Sequence, residues 1–216
     1  MKKESLKNQK ERMGKILDIL AGEYPDVKIQ LNFNNCFELM VAAMLSAQCT
    51  DARVNIVTED LFRKYRSPED YLSAPRNELE KDIYSTGFYK AKAKNIQGAA
   101  KKIIEDFGGK VPGTMDDLLS LPGIGRKTAN VLLGHCFDIP GIVVDTHVIR
   151  ISNRLGFVST KDPVKIENKW MKLIPEEKWV VLTHYFINHG RTICKARKPM
   201  CGDCVINSLC PSAGNF

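Results

Sequence analysis

No run of about eighteen apolar residues occurs in this chain, so nothing in it reads as a membrane span. The charged start, Met1 to Arg12, mixes Lys and Arg with Glu4 and Glu11 and leads into no apolar segment or cleavage site. No export signal is expected there. Repeats, low-complexity tracts and long flexible linkers are also missing, which excludes solenoids and tethered arrays. Acidic residues are in deficit: 25 Asp and Glu against 32 Lys and Arg, a net charge of +7. A basic surface suits a polyanionic partner such as nucleic acid, although many basic proteins bind none. Disulfide pairing is not expected either. Seven cysteines in 216 residues are odd in number and too sparse for a secreted disulfide scaffold. The expected compartment is reducing and intracellular, hence cytoplasmic.

What the chain does have is a cluster of four cysteines, Cys194, Cys201, Cys204 and Cys210, spaced C-x6-C-x2-C-x5-C. Four thiolates at that spacing can surround one soft metal centre, a zinc ion or an iron–sulfur cluster. Cys36, Cys49 and Cys136 lie in apolar stretches and are expected to be small buried residues. Trp170 and Trp179 are expected to pack.

The rest reads as helices joined by short polar loops, and the expected fold class is all-α. Met13, Ile16, Leu17 and Leu20 fall at helical spacing within 5–21. Segment 35–48 is apolar on nearly all sides and should be a central, buried helix. Thr50 or Asp51 caps the next helix, 52–65, and Ser67-Pro68 ends it. Further helices are expected over 68–73, 77–84, 88–106, 114–119, 127–137, 145–155, 162–173 and 177–190. The β-branched run Ile142-Val143-Val144 could be a strand, but nothing around it alternates.

Residues 121–130 read LPGIGRKTAN. Gly123 and Gly125 permit a tight turn and close backbone approach just before a helix start. Unpaired amides and the dipole there attract an anion. The pattern matches a helix–hairpin–helix, which grips a DNA phosphate through main-chain amides, with Arg126 and Thr128 beside it. An ordinary glycine-capped corner would look similar. Lys127 lies near this positive helix end, which favours a neutral amine able to form a Schiff base. Asp145, in GIVVDTHVIR, precedes a helical pattern. Read alone, these two are equally a surface lysine and an N-cap.

Taken together, SAQCTD (46–51), TGFYKAKAKNI (86–96), LPGIGRKTANVLLG (121–134), VDTHVIRISNRLGF (144–157) and the four-cysteine spacing resemble the endonuclease III family of helix–hairpin–helix DNA glycosylases. The likeness runs from about residue 10 to 213. It implies two helical domains with a DNA cleft between them. One is a six-helix barrel over 29–139. The other, 1–28 with 140–216, holds a [4Fe–4S] cluster on Cys194, Cys201, Cys204 and Cys210, which favours iron–sulfur over zinc. The implied activity is bifunctional: removal of oxidised pyrimidines such as thymine glycol from duplex DNA, then nicking by β-elimination. The target nucleotide must be flipped out of the stack. By the resemblance Lys127 is the nucleophile and Asp145 its acid/base partner. Gln48 plugs the vacated space and Phe88 wedges beside the orphaned base.

Phe88 stands where leucine appears in the best-known members, so lesion preference can differ. Phe88 could otherwise be a core aromatic, but the lysines at 90, 92 and 94 suggest an exposed basic helix. Gln48 could equally cap helix 35–48. Ser46, Asp51 and His147 are candidate pocket residues, His147 also reading as an ordinary helix-start histidine. Lys195, Arg197 and Lys198 lie between the first two cysteines, on a loop the metal would pin, and are candidates for phosphate contact. The expected partner is damaged double-stranded DNA, bound by a monomer, with no membrane.

Three other readings stand beside this one. The adenine-mismatch branch lacks the lysine seen at Lys127 and carries a further C-terminal domain, whereas this sequence ends six residues after Cys210. A pyrimidine-dimer or mismatch-specific glycosylase shares the same motifs. A non-catalytic helix–hairpin–helix DNA-binding module with a structural zinc is the reading from a different class.

Overall fold

The computed structural model describes residues 4–215; Met1, Lys2, Lys3 and Phe216, which the expected domain bounds include, lie outside them. Eleven α-helices occur among the described residues: α1 (Leu6–Glu23), α2 (Cys36–Leu45), α3 (Asp51–Lys64), α4 (Pro68–Ser73), α5 (Arg76–Asp82), α6 (Tyr89–Phe107), α7 (Met115–Leu119), α8 (Arg126–Cys136), α9 (Thr146–Arg154), α10 (Pro163–Leu173) and α11 (Trp179–Thr192). No strand occurs among the described residues, and the fold is all-α. The chain divides into two compact units. One runs Gln30–Ile139; the other joins the segment ending at Ile29 to everything described from Pro140 onward.

In the Gln30–Ile139 unit, α2 is the central element and packs on α3, α6 and α8. Every residue from Glu38 to Leu45 is buried, as its all-round apolar sequence requires. Its one buried charge is partnered: Glu38 Oε2 accepts from the Asn34 main-chain and side-chain amides at 2.6 and 2.9 Å. Asn35 caps the helix start through the Glu38 amide. The helix stops at Leu45, earlier than the sequence suggests, because the chain turns over 46–48 and Gln48 adopts a left-handed conformation (φ 54°). Thr50 caps α3 as expected, and Ser67, expected only to end the preceding helix, forms a capping box on α4. The expected helix 77–84 ends at Asp82 and continues as a 3₁₀ turn, Tyr84–Thr86.

The other unit closes around one apolar core. Met13, Ile16 and Leu20 of α1 meet Val148 and Ile151 of α9, Trp170 of α10 and Phe186 of α11. The Trp170 indole donates to the Ser152 hydroxyl at 2.9 Å, which satisfies its polar edge inside the core. Trp179 is half-buried and donates to the Ile174 carbonyl at 3.2 Å. The run Ile142-Val143-Val144 is buried and extended but pairs with no strand; the Val143 amide donates instead to the Thr183 hydroxyl at 3.1 Å. Cys36, Cys49 and Cys136 are only half-buried, which corrects their expected place in the core.

Candidate active site and cluster loop

The glycine hairpin joins α7 to α8 as the spacing predicts. The turn closes through the Ile124 amide onto the Leu121 carbonyl at 3.1 Å. Gly123 holds φ +81°, and a Cβ there would stand 2.8 Å from both Asn95 Cβ and Met44 Cε. Glycine is therefore required twice, by the left-handed backbone and by close packing on α2 and α6. Gly125 is the N-cap of α8 and supplies no side-chain acceptor, so the first-turn amides face outward to whatever lies beyond the hairpin. Arg126 and Lys127 are exposed on that first turn, and Thr128 is half-exposed.

A cavity of about 220 Å³ opens in the same unit, with Met44, Gln48, Phe88, Lys92, Asn95 and Gly123 in its wall. The sequence-predicted plug, wedge and hairpin are thus brought together. Phe88 is 65% exposed and left-handed (φ 48°), which settles it as a surface aromatic. Gln48 is exposed beyond the end of α2 rather than capping it. Lys92 is a correction: it does not join Lys90 and Lys94 on a solvated face but is buried, with Nζ donating to main-chain carbonyls. The Ser46 hydroxyl donates to the Ala43 carbonyl at 2.8 Å within its own helix turn. Asp51 is the half-buried first residue of α3.

Asp145 and His147 belong to the other unit. Asp145 is the N-cap of α9: its Oδ1 accepts from the His147 and Val148 amides at 2.8 and 2.9 Å. Arg150 Nη2 lies 3.0 Å from His147 Nδ1 and donates to the Gly190 carbonyl at 2.9 Å. Burial first, and then the Arg150 and Arg191 charges, hold the His147 imidazole below its usual range despite Asp145. A Cβ on Gly190 would approach His147 Nδ1 to 2.7 Å, so that glycine lets α9 and α11 meet.

All four cysteines of the C-terminal cluster line one cavity, with Ile151, Leu155 and Ile206 as apolar wall. Among the described residues no three Cys, His, Asp or Glu side chains stand close enough to chelate a single metal ion. Four thiols lining one apolar-walled cavity are a donor set for a soft metal centre. Two side chains reach the sulfurs. Arg154 Nη1 donates to Cys194 Sγ at 3.2 Å, and His189 Nε2 lies 3.4 Å from Cys204 Sγ. Hydrogen bonds of this kind stabilise thiolate ligands. Arg154 also donates to the Lys195 and Ala196 carbonyls at 2.7 and 3.1 Å. These bonds shape the loop whose Lys195, Arg197 and Lys198 side chains are exposed. Arg154 and His189 escaped sequence reading: each acts across more than ten residues, and no local motif marks it.

Comparison with known proteins gives these features a class. Residues 41–176 match the HhH-GPD superfamily of base excision DNA repair proteins, and residues 194–210 match the iron–sulfur binding domain of endonuclease III. The chain is 52% identical over 195 residues to endonuclease III of Bacillus subtilis, covering 90% of this chain and 89% of that protein. To endonuclease III of a Synechocystis species it is 50% identical over 207 residues, 95% and 94% of the two chains. A trapped endonuclease III–DNA covalent intermediate superposes with a TM-score of 0.92 at 46% identity, covering 95% of this chain and 97% of the other. The chain belongs to the endonuclease III family. It is an enzyme of base excision repair, a bifunctional DNA glycosylase and AP lyase, and its cofactor is an iron–sulfur cluster of the [4Fe–4S] type.

Proposed function

We propose that this enzyme removes oxidised pyrimidines such as thymine glycol from damaged duplex DNA through an imine on Lys127. The observation that carries the reading is the position of Lys127: an exposed amine on the first turn of α8, two residues past the hairpin's second glycine. The hairpin amides and the positive helix end suit a backbone phosphate, with Arg126 and Thr128 beside it. Once the nucleotide is flipped, the Lys127 amine attacks C1′ and gives up a proton as the new C–N bond forms. The C1′–N bond breaks, and its electron pair leaves with the base, which takes up a proton. Ring opening gives the imine. Loss of a C2′ proton then expels the 3′ phosphate, and the strand is cut 3′ to the lesion.

Asp145 is the proton-transfer partner and opposes positive charge developing on the sugar. Both amide bonds of Asp145 fall on Oδ1, so Oδ2 is the oxygen for this work. Gln48 fills the space the nucleotide leaves and Phe88 wedges beside the orphaned base; Ser46, Asp51 and His147 contribute to the lesion pocket. Cys194, Cys201, Cys204 and Cys210 hold the cluster, which keeps the intervening basic loop in shape for phosphate contact by Lys195, Arg197 and Lys198. The 29–139 region is the barrel domain, and the remainder, 1–28 with 140–216, is the cluster domain. The working form is a monomer in the cytoplasm, because one cleft serving one flipped nucleotide needs no symmetry.

A duplex with a single thymine glycol tests this. Direct electrophoresis reads strand nicking, and alkali treatment before electrophoresis reads base loss. Wild type gives both. Lys127→Gln is expected to lose nicking and at least a hundredfold of base release while still binding the damaged duplex. Wild-type nicking by Lys127→Gln would overturn the assignment.

A further inference from the structure

Lys92, the fourth residue of α6, is 6% exposed, and burial pulls its amine below the usual lysine range. A buried ammonium is retained only where its hydrogen bonds compensate its lost hydration. Here Nζ donates to the Leu45 carbonyl and to the Thr86 carbonyl, both at 2.8 Å. Leu45 is the last residue of α2, and Thr86 is the last residue of the 3₁₀ turn before α6. Carbonyls at such ends have no partner within their own helix, and a cation there is favoured.

Each of the two carbonyls leads into a strained turn. Three residues past Leu45 stands Gln48, at φ 54°; two residues past Thr86 stands Phe88, at φ 48°. Left-handed backbone is strained for a side-chain-bearing residue and persists only where its surroundings enforce it. The Lys92 main-chain amide adds a third tie, donating to the Phe88 carbonyl at 3.0 Å. One residue therefore fastens both turns, and Gln48, Phe88 and Lys92 line the same cavity.

We infer that Lys92 is a positioning residue, clamping the turns that carry Gln48 and Phe88 so that both side chains are aimed before DNA arrives and the enzyme can tell a flipped, vacated site from intact duplex. The inference rests on the reading of Gln48 and Phe88 as plug and wedge.

The test measures the ratio of affinities for a duplex with a tetrahydrofuran abasic analogue and for the same duplex undamaged. A 2-aminopurine opposite the analogue reports stacking in the vacated space. Lys92→Met, which keeps the aliphatic stem, is expected to retain affinity for undamaged DNA within about twofold. It should lose about tenfold or more of the preference for the abasic duplex, together with the 2-aminopurine response. Lys92→Gln, able to donate to one carbonyl, should fall between. Gln48→Ala and Phe88→Ala run alongside, each expected to lower the preference. If they do so while a folded Lys92 variant keeps wild-type preference and fluorescence, the clamp is wrong. If Gln48→Ala and Phe88→Ala combined leaves the preference intact, the plug-and-wedge reading has failed instead. If neither Lys92 variant folds, Lys92 serves the fold of the unit and the positioning role is rejected.

Discussion

In the proposed mechanism Asp145 carries two duties on one side chain, and the two can be separated. As N-cap it accepts two amides at the start of α9; as acid/base partner it needs an ionisable carboxyl. Asparagine caps as well as aspartate but cannot take the proton. Asp145→Asn should therefore unfold within about 0.5 kcal/mol of wild type, while Asp145→Ala should lose about 1 kcal/mol. Both should slow single-turnover base release by at least tenfold. Thermal denaturation and quenched-flow base release read the two effects, and full activity in Asp145→Asn would remove the carboxylate from the chemistry. The settings of Lys127 and Asp145 are local and legible, a glycine hairpin for one and an apolar run with a helix start for the other, while their roles come only from the family resemblance. Lys92 has no such local setting. Its alternation with Lys90 and Lys94 suggests a solvated face, and the Leu45 carbonyl that buries it lies 47 residues away. Arg154 and His189 are hidden for the same reason, since their sulfur contacts are tertiary.

Elements are more legible than contacts. Thr50 caps α3, and Ser67 caps α4 with Pro68 as its first residue. Where the sequence carries no breaker, the boundary is lost: Ser46-Ala47-Gln48 continues the pattern of α2, yet the helix ends at Leu45. The run 142–144 looks like a strand by propensity but is a buried extended segment, because β-branched side chains pack there without a partner strand. The hairpin offers the sharpest prediction at this scale. Gly123→Ala forces a methyl into left-handed backbone and against Asn95 Cβ. It should cost about 1–3 kcal/mol in denaturant unfolding and weaken binding to any duplex, damaged or not. Wild-type stability and affinity would show that the close approach is not needed.

At the scale of the whole molecule, the net charge is +7, and three of the 32 basic residues stand exposed on the loop between Cys194 and Cys201. Replacing Lys195, Arg197 and Lys198 with alanine should weaken damaged and undamaged DNA alike. It should also reduce the slope of log affinity against log salt by about 2–3. An unchanged slope would place the phosphate contacts elsewhere. Cys201→Ser should lower bound iron and destabilise the unit that contains α9 and α11, read by iron analysis and thermal unfolding; full iron content would remove Cys201 from the ligand set. The four-cysteine spacing makes this centre legible in the sequence itself, whereas the division of the chain at 30 and 140 leaves no composition shift or linker to read. The central claim is that one amine, on the first turn of α8, does the chemistry. Borohydride reduction of the reacting complex on a thymine-glycol duplex, followed by mass spectrometry of the trapped peptide, asks this directly. The account predicts a covalent adduct on Lys127 that is missing from Lys127→Gln. An adduct on Lys92 or another lysine, or base release with no adduct at all, would contradict it.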